Sequence, residues 1–411
     1  MLRTWWVMTR KRTALLCAGT LLLSSAPLLA GAAAPADGAT RRPQGCVSSP
    51  TPTGGQARAI LDVIERDQRE LKLRAVVGRV TEHGRNVWTG AVGPSMTGVP
   101  ARPDMRFRVG SVAIAFMGTV LLQLVDEKRV HLDDRLSRWL PEVPHANEIT
   151  LRMLADTTSG FHDYVTDPAF LKELEAHPFK HWTPREILGF ADPNDLLYKP
   201  GTNFSYSHAN FLLLGEALER ITHTRLDRLL EQRIYRPLGL HATSNSYTPD
   251  MPSPVLHAFT SERGTYEEST FWNPSWTTAP GAVVNMNICD LARAGAGIGS
   301  GQTISRKSYK VLLDPGTIGL GTPTKKCPAG VCLPQTKEVH YGVSVLVVNG
   351  WLVQNPSFSG YAAIMAYLPS KDLSIALSVT YSPTTDQSDQ NLGNNIAKDL
   401  SHLLVPNQPL A

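Results

Sequence analysis

The chain has 411 residues, enough to bury a substantial core as one large domain or as two that share an interface. Hydrophobic residues make up 42% and charged residues 18%, the composition of an ordinary globular protein. The formal net charge of +4 falls to zero once the leader described next is removed, so no basic face argues for a nucleic-acid partner.

The first stretch reads as a secretory leader. Arg10, Lys11 and Arg12 precede an apolar run over 14–34 that ends in small residues. Cleavage fits Ala34-Pro35-Ala36 or Ala30-Gly31-Ala32 equally well, and the leader is expected to occupy 1–36. The run is broken by Gly19, Pro27 and Gly31, which favours export and release over a stable membrane anchor. Loss of Cys17 with the leader leaves Cys46, Cys289, Cys327 and Cys332, an even number that suggests disulfides in an exported chain. Cys327 and Cys332 flank the short turn Pro-Ala-Gly-Val and are expected to pair locally, leaving Cys46 with Cys289. Paired C-x-x-C spacing and a histidine cluster are both lacking, so the cysteines do not read as a zinc site.

Residues 37–56 are rich in Pro, Thr, Ser and Gly and predict a flexible lead-in. An amphipathic helix is expected over 57–71, with Ile60, Ile64 and Leu71 on its apolar face. Two β-rich runs, 74–80 and 86–92, follow around Glu82-His83-Gly84, which signals a hairpin. Next comes FRVGSVAIAF, residues 107–116, where Ser111 follows a flexible glycine at the mouth of a long apolar pattern. Ile114, Met117, Leu121, Leu124 and Val125 recur at helical spacing, so Ser111 should open a buried helix and present its hydroxyl at backbone N–H groups. That makes it the candidate nucleophile.

From 132 to 284 helical patterns alternate with Pro/Gly loops, and the segment reads as a mostly helical insert. The tail returns to β-rich runs at 341–348, 351–355, 361–368 and 373–381, then closes on a helix over 391–404 expected to bury Ile396, Leu400 and Leu403. Strands near both ends with helices between them predict an α+β fold: an antiparallel sheet assembled from distant segments and flanked by helices. The expected division is a domain over 57–404 with an α/β part at 57–108 and 336–404 and a helical part at 109–335.

Five phrases together resemble one family: FRVGSVAIAF, LVDEKRVHLDDRLSRWLP, ITLRMLADTTSGFHDY, KPGTNFSYSHANFLLLGEALE and FSGYAAIMAYLP. In this order, over roughly 57–404, they are similar to class C β-lactamases, the related D-alanyl-D-alanine carboxypeptidases and their esterase relatives. The resemblance implies a β-lactamase/transpeptidase-like fold and three catalytic motifs, each altered here. In the first, S-x-x-K, Ser111 is kept and Ile114 replaces the lysine that helps activate the hydroxyl. No serine in the sequence has a lysine three places later. In the second, Tyr-x-Asn, Tyr206 is kept and His208 replaces the asparagine. The third, His-x-Gly or Lys-Thr-Gly, falls on Gln354-Asn355-Pro356.

An isoleucine neither accepts a proton nor supplies charge to lower the Tyr206 pKa. A histidine at 208 suggests a relocated base: Ser111 as nucleophile, His208 as proton acceptor, Tyr206 orienting or relaying. The resemblance further implies an oxyanion hole from the N–H groups of Ser111 and Ser357, substrate contacts from Gln354 and Asn355, and an aromatic wall from Trp272 and Trp276. His162 and Asp163 belong to a turn that is structural in the family. The expected function is a secreted serine hydrolase or acyltransferase acting on a small-molecule or peptide substrate, weak or repurposed, with neither metal nor organic cofactor. The competing expectation is an inactive relative that keeps the pocket to bind a cell-wall peptide, a β-lactam or a protein.

Overall fold

The alternation of apolar residues at the two ends of the chain is resolved into one antiparallel sheet, seen in a computed structural model that describes residues 45–410 except 246 and 388–390. The expected leader and the first part of the lead-in lie outside the described residues. Strand order is Val339–Tyr341, Leu346–Val348, Trp351–Gln354, Tyr361–Leu368, Leu373–Tyr381, Leu73–Glu82 and Arg85–Val92, with Ser357–Phe358 paired to Tyr361–Leu368. The N-terminal hairpin thus docks on the last strand of the tail, in a register that sets Val76 opposite Val379 and Val80 opposite Ile375.

Strand periodicity of two then sorts the side chains between two faces. Val76, Val80, Ile364, Leu377 and Val379 pack with Ile60 and Ile64 of helix Gly55–Glu70 and with Ile396 and Leu400 of helix Gly393–Leu404. Full burial of each such side chain is worth roughly 1.5–3 kcal/mol. Ala75, Val77, Ala363, Met365 and Ala376 point the other way, into a larger core that holds the Ser111 helix, Val112–Asp126. Helix Ile288–Gly299 lies against this second face, where the Ser374 hydroxyl donates to the Ala292 carbonyl at 3.1 Å. The described residues form one compact unit.

The expected pairs Cys46–Cys289 and Cys327–Cys332 are both present as disulfides. Residues 45–53 have no regular secondary structure, yet Cys46 anchors them, and the Ser49 N–H donates to the Thr89 carbonyl at 2.7 Å.

Three expectations need correction. The run 341–348 is two strands, because Gly342 and Ser344, the latter at φ 60°, turn the chain so that Val339–Tyr341 pairs with Leu346–Val348. A continuous β-rich composition hides that turn. Leu403 is 42% exposed, and Ala397 takes its place beside Ile396 and Leu400 on the buried stripe. The mostly helical region also contains short strands: Ser244–Asn245 and Val284–Met286 pair there, and Phe107–Arg108, from just before it, completes a small three-stranded sheet. Pieces of two or three residues are too short to leave a periodic signal in sequence.

Candidate active site

Ser111 is placed by the junction of that small sheet with the core. Strand Phe107–Arg108 pairs with Val284–Met286, and Gly110, at φ 42°, turns the chain into helix Val112–Asp126. The first turn is closed by Val112 N–H to Val109 O at 3.0 Å, Ala113 N–H to Gly110 O at 3.2 Å and Ile114 N–H to Ser111 O at 3.0 Å. None of these uses the Ser111 N–H, and the positive end of a 15-residue helix lies at the hydroxyl.

Gly110 is also the point where a second segment closes on the serine. A Cβ at this position would stand 2.9 Å from the Pro356 Cβ and 3.0 Å from the Phe358 ring, so only glycine permits this contact. The residues before and after Ser357 therefore both pack on Gly110, the residue preceding Ser111. Two turns further along the helix, Gly118 admits Ser344, whose N–H donates to the Ala155 carbonyl at 2.8 Å.

Ile114 has 0% exposure and lies in the core. Among the described residues no lysine hydrogen-bonds to Ser111. Its polar neighbour is Tyr206, and burial raises the Tyr206 phenol above its ordinary pKa, with the Asp163 carboxylate adding to the shift and contact with the Ser111 hydroxyl partly offsetting it. The phenol is therefore protonated at neutral pH.

His208 begins helix His208–Thr222, capped by the Ser207 hydroxyl, which accepts from Ala209 N–H at 3.2 Å. Its ring stands 5.1 Å from the Tyr206 ring at 89°. Its Nδ1 lies 3.1 Å from each Asp163 carboxylate oxygen, and its backbone N–H donates to Asp163 Oδ1 at 3.1 Å. The contacts of His208 thus run to Asp163 and to Tyr206, with no hydrogen bond to Ser111. Asp163, read from sequence as part of a structural turn, is the residue that sequence reasoning missed. It lies 45 residues from His208, and no local pattern joins the two.

The other predicted residues separate. Gln354 is buried, and its Nε2 donates to the Ser344 carbonyl at 2.7 Å, behind Tyr341, whose ring stands 5.7 Å from that of Tyr206. Asn355, one residue past strand Trp351–Gln354, is exposed and donates to Asn394 Oδ1 at 3.3 Å, which draws it towards helix Gly393–Leu404, on the sheet face opposite the Ser111 helix. Ser357 and Trp272 share a cleft of about 330 Å³ with Trp276, Phe358 and Tyr381. The Ser357 hydroxyl is 3.3 Å from that of Tyr381, and the Trp276 ring meets Phe358 edge-on at 5.9 Å. Ser111 is not a wall of this cleft; the Phe358 ring lies between them, lining the cleft on one side and touching Gly110 on the other.

A buried acid lies under the site. Asp156 follows Ala155, accepts from the Thr158 hydroxyl at 2.6 Å, and is pushed up to about 7 by burial, partly offset by the Thr158 hydrogen bonds. Because the folded-state pKa is raised, the stability linked to this proton is full below the unfolded value near 3.8 and is lost as pH rises through 7. Asp156→Asn, which keeps an acceptor for Thr158, is expected to be more stable than the parent at pH 8 by up to about 4 kcal/mol, with the gain shrinking towards pH 4. Urea unfolding at the two pH values measures it, and an equal difference at both would refute the assignment.

Comparison with known proteins gives consistent relatives. The family model described as Beta-lactamase matches residues 61–397. A putative D-alanyl-D-alanine carboxypeptidase of Escherichia coli is 29% identical over 128 residues, 30% of this chain and 30% of its own length. A putative penicillin-binding protein, PbpX, of Bacillus subtilis is 24% identical over 224 residues, 53% of this chain and 54% of its own. The chain therefore spans from about a third to about half the length of these curated relatives. Among solved structures, a D-stereospecific amidohydrolase from Streptomyces sp. superposes with a TM-score of 0.69 at 24% identity, covering 85% of this chain and 99% of that one. At that identity the likeness shows the fold, a β-lactamase/transpeptidase-like arrangement of sheet and helices. No helix among the described residues is long and apolar enough to cross a membrane.

Proposed function

The chain belongs to the β-lactamase family, and from that membership we propose that it is a serine hydrolase or acyltransferase working through an acyl-Ser111 intermediate on an amide, an ester or a β-lactam. The observation that carries the reading is Ser111 at the mouth of a buried helix, in contact with Tyr206, with His208 ring-to-ring beside that tyrosine. An alcohol attacks slowly until its proton is taken, and a phenol with a raised pKa does not serve as the resting base. Tyr206 therefore acts as a relay. As the Ser111 oxygen bonds to the substrate carbonyl carbon, the serine proton passes to the Tyr206 oxygen and the Tyr206 proton passes to His208 Nε2. The proton then returns to the leaving group as its bond to the carbonyl carbon breaks. The N–H groups of Ser111 and Ser357 receive the oxyanion, a contribution of the kind worth about 3 kcal/mol per donor.

The aromatic cleft with Trp272, Trp276 and Tyr381 takes the apolar part of the substrate, and the Phe358 ring swings aside to join it to Ser111. Gln354, already committed to the Ser344 carbonyl, holds that turn in place instead of anchoring a substrate carboxylate. The two disulfides support an exported protein.

A second reading, a binder without turnover, is favoured by one feature: Ile114 fills the lysine position at 0% exposure while Phe358 covers Gly110. Turnover of a panel of nitrophenyl esters, D-amino acid amides and a chromogenic cephalosporin decides between the two. The hydrolase reading expects release from at least one class, lost in Ser111→Ala. Binding of panel members without release by the parent protein supports the binder.

A further inference from the structure

We propose that Asp163 is a positioning residue that fixes the proton of the His208 imidazole on Nδ1, leaving Nε2 as the accepting nitrogen. The inference rests on the Ser111 reading above and deepens it, because a relay ending on His208 works only if one ring nitrogen is held open.

Four observations carry it. Both carboxylate oxygens of Asp163 lie 3.1 Å from Nδ1, and an ionised carboxylate only accepts, so the proton between them belongs to the ring. The same carboxylate takes the His208 backbone N–H at 3.1 Å, so ring and main chain of one residue are held by one group. The pair is shielded, with side-chain exposures of 18% for His208 and 13% for Asp163. The ring is confined between Tyr206 and Tyr164, at 5.1 Å and 5.9 Å, and Tyr164 is itself pinned by its hydroxyl donating to the Trp276 carbonyl at 2.7 Å.

A purely local role would need less. The Asp163 side chain caps the turn Tyr164–Thr166 through Oδ1, which accepts from Val165 N–H at 3.3 Å, and the backbone contact to His208 uses Oδ1 as well. An asparagine oxygen would satisfy both. The imidazole, by contrast, is held by both oxygens, Oδ1 and Oδ2, at 3.1 Å each.

That difference defines the test. Asp163→Asn keeps the capping oxygen but replaces the two-oxygen anion at Nδ1 by one neutral oxygen beside an amide N–H, a donor, and so shifts the ring towards the Nε2–H tautomer. The measurement is nitrogen-15 NMR of the histidine ring nitrogens, with the His208 signal assigned by its loss in His208→Gln, alongside the rate of Ser111 labelling by a fluorophosphonate. The expected result is Nδ1–H in the parent, Nε2–H in Asp163→Asn, and labelling slowed about a hundredfold or more at an unchanged melting temperature. An Nε2–H ring in the parent, or a switched tautomer with an unchanged labelling rate, overturns the proposal. If the parent forms no adduct at Ser111, the hydrolase reading falls separately. The tautomer then decides alone: Nδ1–H in the parent and its loss in the variant uphold the assignment, and any other pattern rejects it.

Discussion

His208→Ala is expected to slow acylation of Ser111 by a factor of about a hundred to ten thousand, the range that general-base assistance contributes. The reasoning runs through the groups that touch the serine. Ile114 is apolar and fully buried, so nothing at the expected lysine position accepts a proton. Tyr206 touches Ser111, but burial raises its pKa and, among the described residues, no neighbouring cation counters this. The remaining basic group is the imidazole whose ring stands 5.1 Å from that of Tyr206. Removing it strands the relay while leaving Ser111, Gly110 and the helix mouth untouched. Stopped-flow labelling with a fluorophosphonate, compared between parent and variant at one pH, measures the loss. A rate within a factor of two of the parent would remove His208 from the chemistry and return the base to a group not yet identified. The same measurement on Tyr206→Phe separates relay from direct transfer: a comparable loss in both variants is the signature of a relay.

Much of the fold was legible because its signals are periodic. The strands at 73–92 and 361–381 are β-rich runs bounded by turn residues, and the Glu82-His83-Gly84 turn adopts the positive φ angles its residues suit, 50° at His83 and 69° at Gly84. The cysteines could be paired because a five-residue separation left one partner for each of the others. What could not be read depends on which side chains the fold brings together. Nothing in the spacing of Asp163 and His208 indicates a shared hydrogen bond. The turn at Gly342–Ser344 is buried inside an apparently continuous strand, and it matters for the site because Ser344 both packs on Gly118 and receives Gln354. The contact of Phe358 with Gly110, which narrows the approach to Ser111, is a property of three-dimensional packing alone.

The loss of the lysine makes Ser111 the residue on which everything else turns. If it is a nucleophile, the hydroxyl must form a covalent bond to an acyl or phosphonyl donor, and Ser111→Ala must abolish that bond completely, since alanine has no atom to carry it. The neighbouring hydroxyls provide an internal control: Ser357 is exposed and Tyr381 lines the cleft, so an indiscriminate reagent would mark them too. Intact mass after treatment with a fluorophosphonate and, separately, a fluorescent penicillin, followed by peptide mapping, is the direct measurement. One adduct confined to the peptide containing Ser111 and missing from Ser111→Ala is the predicted result. An unmodified parent protein, or an adduct that persists in Ser111→Ala, would contradict it.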